Sequence, residues 1–181
     1  GIASRGLGDV YKRQEIGIAK FHGFHFLHYD KEKNLASNQV SSMLTDHQNN
    51  RWFAYYDKGL SFCYADSCRH FTENDGLPSD KIYDIISYDE QEIWLGTKKG
   101  LFSYKNNKFQ QLIFDTEDTE QVATMLKKDM AGNIWITTRK NLYKYDGKSF
   151  KQYAIKALER PFSSYYYRVI NDFLIDEKNN I

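Results

Sequence analysis

Several things are scarce in this chain. Two prolines and two cysteines stand among 181 residues, so neither a proline-rich linker nor a disulfide-dense mini-domain is encoded. No apolar run approaches the roughly 20 residues that a membrane-crossing helix needs. Neither sign of charge prevails: 25 basic against 24 acidic residues leave a formal net charge of +1. The clustered basic face expected of a nucleic-acid binder is therefore missing. No glycine-rich phosphate loop, Gly-x-Ser-x-Gly elbow or His-Glu-x-x-His helix occurs, which leaves phosphoryl transfer and the commonest hydrolytic chemistries without a motif.

What the chain has is aromatic and apolar residues, at 16% and 41%, enough for a packed interior and suited to sheets. They are ordered. Between Leu77 and Leu112 four short apolar runs alternate with polar breaks: Ile82 to Ile86, Ile93 to Thr97, Leu101 to Tyr104 and Phe109 to Leu112, separated by Asp89 to Glu92, Lys98 to Gly100 and Asn106 to Lys108. Such runs predict a four-stranded antiparallel meander.

The unit recurs. Trp52, Trp94 and Trp135 lie 42 and 41 residues apart in matching surroundings, and Ile170 to Ile181 repeat the approach to a tryptophan. Four strands at a period of 40 to 50 residues predict an all-β, partial β-propeller. Its expected parts are three full four-stranded blades at 35–76, 77–119 and 120–166, flanked by two incomplete ones. The outer strands of a truncated blade are expected at 15–34 and the inner strand of another at 167–181. Asp9 to Gln14 look like a translated sequencing adapter, so residues 1–14 are expected to be a non-native leader outside the fold. Pro78 and Pro161 fall between units, where no strand donor is required.

Gly76-Leu77-Pro78-Ser79, Ile82, Ile93-Trp94-Leu95-Gly96-Thr97, Gly100-Leu101 and the Tyr104/Phe109 pair resemble the two-component regulator propeller repeat. The likeness extends from about Gly17 to Ile181. It departs from the repeat at Ala54-Tyr55 and Thr137-Thr138, where Gly-Thr is expected, and at Leu35-Ala36-Ser37, where Leu-Pro-Ser is expected. The resemblance implies the ligand-sensing, extracytoplasmic propeller of a hybrid sensor histidine kinase, in the periplasm. Further blades, signalling domains and a homodimeric parent are implied with it, and many such sensors respond to oligosaccharides. It implies no cofactor and no catalysis within this segment. A protein-interaction scaffold and, behind it, a propeller lyase are the alternatives.

Each tryptophan is expected on the second strand of its blade, as core between sheets. Cys63 and Cys68 replace the aromatic pairs Tyr104/Phe109, Tyr145/Phe150 and Phe21/Phe26 of the other units. Directly opposed residues on a hairpin come within bridging distance, so a cross-strand disulfide is expected, with two free thiols as the alternative. With His47 or His70 these cysteines lack zinc-site spacing, and no metal is expected. His22, His25 and His28 surround another hairpin and are expected to face solvent. Asp75, Asp80, Asp84, Asp89 and Glu90 are expected to cap turns or meet solvent rather than form a catalytic pair. Arg160, Phe162, Tyr165, Tyr166 and Arg168 concentrate flat rings and guanidinium forks in the longest link, suited to a sugar or acidic ligand. Burial of those rings as a plug between blades is the other reading.

Overall fold

The computed structural model describes residues 35–65, 67–114, 121–139 and 141–153 in full, and the strand backbones of 2–3, 10–14, 17–22 and 25–29. The described residues form four antiparallel sheets of four strands each, every strand paired with its neighbour in sequence. The first contains β1 (Ile2–Ala3), β2 (Val10–Gln14), β3 (Gly17–His22) and β4 (His25–Tyr29). The second contains β5 (Val40–Thr45), β6 (Arg51–Tyr55), β7 (Leu60–Tyr64) and β8 (Ser67–Phe71). The third contains β9 (Ile82–Ser87), β10 (Ile93–Thr97), β11 (Gly100–Lys105) and β12 (Lys108–Leu112). The fourth contains β13 (Met125–Lys128), β14 (Ile134–Thr137), β15 (Leu142–Tyr145) and β16 (Phe150–Tyr153). No sheet closes into a barrel; the architecture is that of a partial β-propeller.

The first sheet differs from expectation. Two strands were expected from residues 15–34, with residues 1–14 outside the fold. Instead Val10↔Phe21 through Gln14↔Gly17 pair in register, and Ile2 and Ala3 pair with Lys12 and Tyr11. The reason is physical. The free edge of β3 presents unpaired N–H and C=O groups, and only residues 15 and 16 separate it from β2, so a hairpin closes on it.

Burial explains the sequence pattern across each later sheet. The second strands β10 and β14 are buried at every residue, and β6 at all but Arg51. They lie between two covered faces, which accounts for the unbroken apolar runs Ile93 to Thr97 and Ile134 to Thr137. The fourth strands β8, β12 and β16 are largely exposed and polar, as an edge that must not template further pairing should be. Asn106 and Asn107 both adopt left-handed backbone (φ 51° and 60°) in the two-residue β11–β12 turn, a conformation asparagine tolerates well.

The chain divides into two compact units, residues 1–82 and 83–181. Within the second unit, Trp94, Leu101 and Leu112 of the third sheet cluster with Ile134, Ile136, Tyr143, Tyr145 and Phe150 of the fourth. Within the first, Leu35, Val40, Phe53, Tyr55 and Cys63 form the core, with Met43 and Cys68 against it.

Candidate functional site

Each tryptophan sits at the same place on its second strand, 2 to 6% exposed. Each also donates its indole N–H to a carboxylate in the preceding turn. Asp46 accepts from Trp52 Nε1 at 3.1 Å, from Asn50 Nδ2, and from the backbone N–H groups of Gln48 and Asn50. Asp129 accepts from Trp135 Nε1 at 3.0 Å, from Asn133 Nδ2, and from the Asn133 backbone. The shared signal is Asp-x-x-x-Asn-x-Trp, whose role sequence reasoning missed. The third sheet solves the turn differently: Glu92 accepts from Trp94 Nε1 at 2.8 Å, and Tyr88, at the aspartate position, stacks on the indole at 4.8 Å. Burial opposes ionisation of Asp129, but the hydrogen bonds from Asn133 and Trp135 and the nearby Lys144 outweigh it and hold its carboxyl below the ordinary value. These groups are framework.

Because each sheet is a meander, the hairpins between second and third strands emerge at the end opposite the other two turns, beside the links between sheets. In each unit taken by itself those loops are the candidate site, since loops on a rigid scaffold commonly carry recognition. Thr97 closes one hairpin by donating to Gly100 O and accepting from Lys99 N–H. Thr138 does the same with Asn141 O and N–H. Lys98 and Lys99 are exposed at the first tip. The link is tied down where Ala123 N–H reaches Thr97 O and Thr124 bonds Thr137. A Cβ on Gly96 would stand 2.8 Å from Ala123 O, so only glycine allows this approach.

In the first unit Ser37 and Ser79 play one part, each accepting the N–H two residues on, from Gln39 and Lys81. Leu35 and Leu77 anchor the same links in the core. Gly59 N–H donates to Asp80 O. Asp75, Asp80 and Asp89 cap, and Asp84 does not. Asp75 accepts from Thr72 backbone N–H, which with the Thr72 hydroxyl holds its carboxyl below the ordinary value. Asp80 accepts from Glu73 N–H and Asp89 from Gln91 N–H. Asp84 instead sits on β9 and accepts the N–H of Leu126 from β13 at 2.8 Å, joining the first strands of two sheets.

The second sheet is chemically distinct on one face. Cys63 and Cys68 are register partners and are joined in a disulfide. Arg51 stands opposite Cys63 on β6 and donates to Ala65 O. Tyr55 accepts from Ala36 N–H and Ser61 Oγ, and Ser61 Oγ lies 2.6 Å from Nδ1 of the exposed His70. Burial pushes the Tyr55 phenol up, partly offset by Ser61 and the Ala36 N–H. Although serine and histidine touch, Ser61 is fully buried and cannot meet a substrate.

Arg160, Phe162, Tyr165, Tyr166 and Arg168 lie outside the described residues. His22 and His25 are register partners on β3 and β4, and His28 pairs with Ala19. Among the described residues no cluster of three or more His, Cys, Asp and Glu could hold a metal, and no helix is long and apolar enough to cross a membrane.

No family model and no curated protein matches the chain. Solved structures do. The extracellular domain of BT3049 from B. thetaiotaomicron, assigned to a hybrid two-component system, matches with a TM-score of 0.72 at 21% identity, over 84% of this chain and 22% of that one. The extracellular domain of BT4673 from the same organism, assigned to a one-component system, gives 0.72 at 16% identity, over 86% and 24%. Virginiamycin B lyase from Staphylococcus aureus gives 0.66 at 12% identity, over 86% and 55%. The chain thus spans under a quarter of the sensor domains it resembles, and what it shares with all three is the propeller fold.

Proposed function

We propose that this chain is part of the extracytoplasmic ligand-sensing propeller of a hybrid sensor histidine kinase. Its task is to recognise an oligosaccharide or other small ligand through hairpin and link loops and to pass a conformational bias onward. The observation that carries this reading is the tandem, in-phase series of four-stranded sheets with two-component propeller repeat residues, whose fold matches sensor extracellular domains. A periplasmic location is consistent with the disulfide, which persists in oxidising compartments. Histidine kinase activity, further blades and dimerisation belong to the parent protein in this proposal, and the chain itself is not an enzyme.

A lyase is the second reading, because the lyase structures also match. It needs histidines converging on the inner strands. Among the fully described residues, His47 lies in the β5–β6 turn and His70 on the outermost strand β8, and neither placement serves that chemistry.

The Arg160 link supplies the ligand contacts in this reading. Calorimetric titration of the intact receptor with candidate oligosaccharides tests it: Arg160→Ala and Tyr166→Ala should each weaken binding by roughly tenfold, the loss expected of an anchoring contact. Unchanged affinity in both removes the link from the site. A reading frame that ends soon after one propeller, without a membrane helix and kinase, overturns the sensor assignment.

A further inference from the structure

The equivalent rows at the outer end of the second, third and fourth sheets differ in a correlated way. Ile93, Tyr104 and Phe109 are register partners across β10, β11 and β12, and Ile134, Tyr145 and Phe150 are register partners across β14, β15 and β16. The row across β6, β7 and β8 is Arg51, Cys63 and Cys68. Where the aromatic pair becomes a cysteine pair, the buried isoleucine beside it becomes an arginine. Arg51 donates to Ala65 O in the same hairpin, but a bridge serving only as a staple has no use for its charge, since isoleucine packs the row in the third and fourth sheets at 6% exposure or less. A thiolate does gain, because a neighbouring guanidinium favours the ionised sulfur.

The two sulfurs are also unequal. Cys63 is 2% exposed and packs among Leu35, Val40, Phe53 and Tyr55. Cys68 is partly exposed on the outermost strand. Of the two cysteines, Cys68 is therefore the one that solvent reaches.

We infer that Cys63–Cys68 is a thiol–disulfide exchange site, with Cys68 the sulfur attacked and Cys63 the leaving thiolate, stabilised by Arg51. The reacting partner is a small thiol or a dithiol oxidoreductase. Its thiolate attacks Cys68 Sγ and forms a mixed disulfide, while the Cys63–Cys68 bond breaks and its electron pair departs on Cys63. A second thiol of the reductant then attacks its own sulfur in the mixed disulfide. This leaves the reductant oxidised by two electrons and Cys68 as a thiolate, and each thiolate takes a proton from water. Exchange is faster when the leaving thiol is the more acidic one; the apolar burial of Cys63 opposes that, and offsetting it is the part assigned to Arg51.

The test uses the whole 181-residue chain, incubated with glutathione, quenched with iodoacetamide and mapped by peptide mass spectrometry. Glutathione is expected on Cys68 and the carbamidomethyl group on Cys63. The opposite pattern, or an even split, overturns the assignment of the sulfurs. Arg51→Ile should slow mixed-disulfide formation by roughly three- to fivefold for about a unit of leaving-group acidity, while Arg51→Lys restores most of it. An unchanged rate in a folded Arg51→Ile chain removes the arginine from the chemistry. If that variant does not fold, the Arg51→Lys rate and the wild-type adduct map decide.

Discussion

The second and third sheets share their four-stranded meander and the buried position of their tryptophan, yet they fill one face differently. In the third sheet Thr97 closes the hairpin and the next strand carries Phe102. In the second, Tyr55 and Ser61 hold those positions, so the ring has moved one strand over and brought a hydroxyl network with it. The outer row is apolar in one and Arg-Cys-Cys in the other. Before the tryptophan one turn uses Asp46 and Asn50, the other Tyr88 and Glu92. A meander built around a doubly covered second strand tolerates such exchanges because its backbone ladder does not depend on which groups fill the face. The requirement it keeps is a large ring with its N–H satisfied.

Removing that ring has the largest expected effect. Trp94 rests on Tyr88, Tyr145 and Phe150, so Trp94→Ala should cost about 4 kcal/mol in urea unfolding. A loss under about 1 kcal/mol, the size of a surface change, would mean that the indole is not core. The carboxylate turn shared by the second and fourth sheets comes next. Asp129→Asn should cost about 2 kcal/mol at neutral pH, as loss of hydrogen bonds to a buried charged group does. The Asp129 carboxyl is held below its ordinary 3.8, so its contribution is complete above about pH 4 and is lost as pH falls through the lowered folded value. The wild-type advantage over Asp129→Asn should thus shrink below pH 4; a constant gap across that range would assign it to packing.

The smallest effect concerns the outer hairpins. Ala65 holds φ 46° where the third sheet uses Asn106 and Asn107. Left-handed backbone is unfavourable for alanine and open to glycine, so Ala65→Gly should raise stability by about 0.5 kcal/mol, the relief less the entropy of glycine. Thermal denaturation that shows a loss instead would mean that the Ala65 methyl group contributes packing.

The repeat was legible in the sequence because three tryptophans and their flanking apolar runs keep one phase, and because paired breaks such as Asn106-Asn107 mark turns unambiguously. The Cys63/Cys68 register followed from the same alignment. The pairing of residues 10–14 with β3 did not, since an edge captures a neighbouring segment by backbone hydrogen bonds that leave little trace in composition. Nor did the use of Asp46, Asp129 and Asp84. A carboxylate one bond from a turn and one bonded to an indole look alike until the strands are folded, although the recurrence of Asp-x-x-x-Asn-x-Trp offered a clue.

The packing of Trp94 against rings from the following sheet has a consequence for how such a chain can change over time. Trp94 is completed by its successor, whereas the ring partners of Trp52 and Trp135 lie within their own sheets. A cut that removes Tyr145 and Phe150 therefore uncovers the indole of the sheet before it, so loss of the fourth sheet is felt in the third.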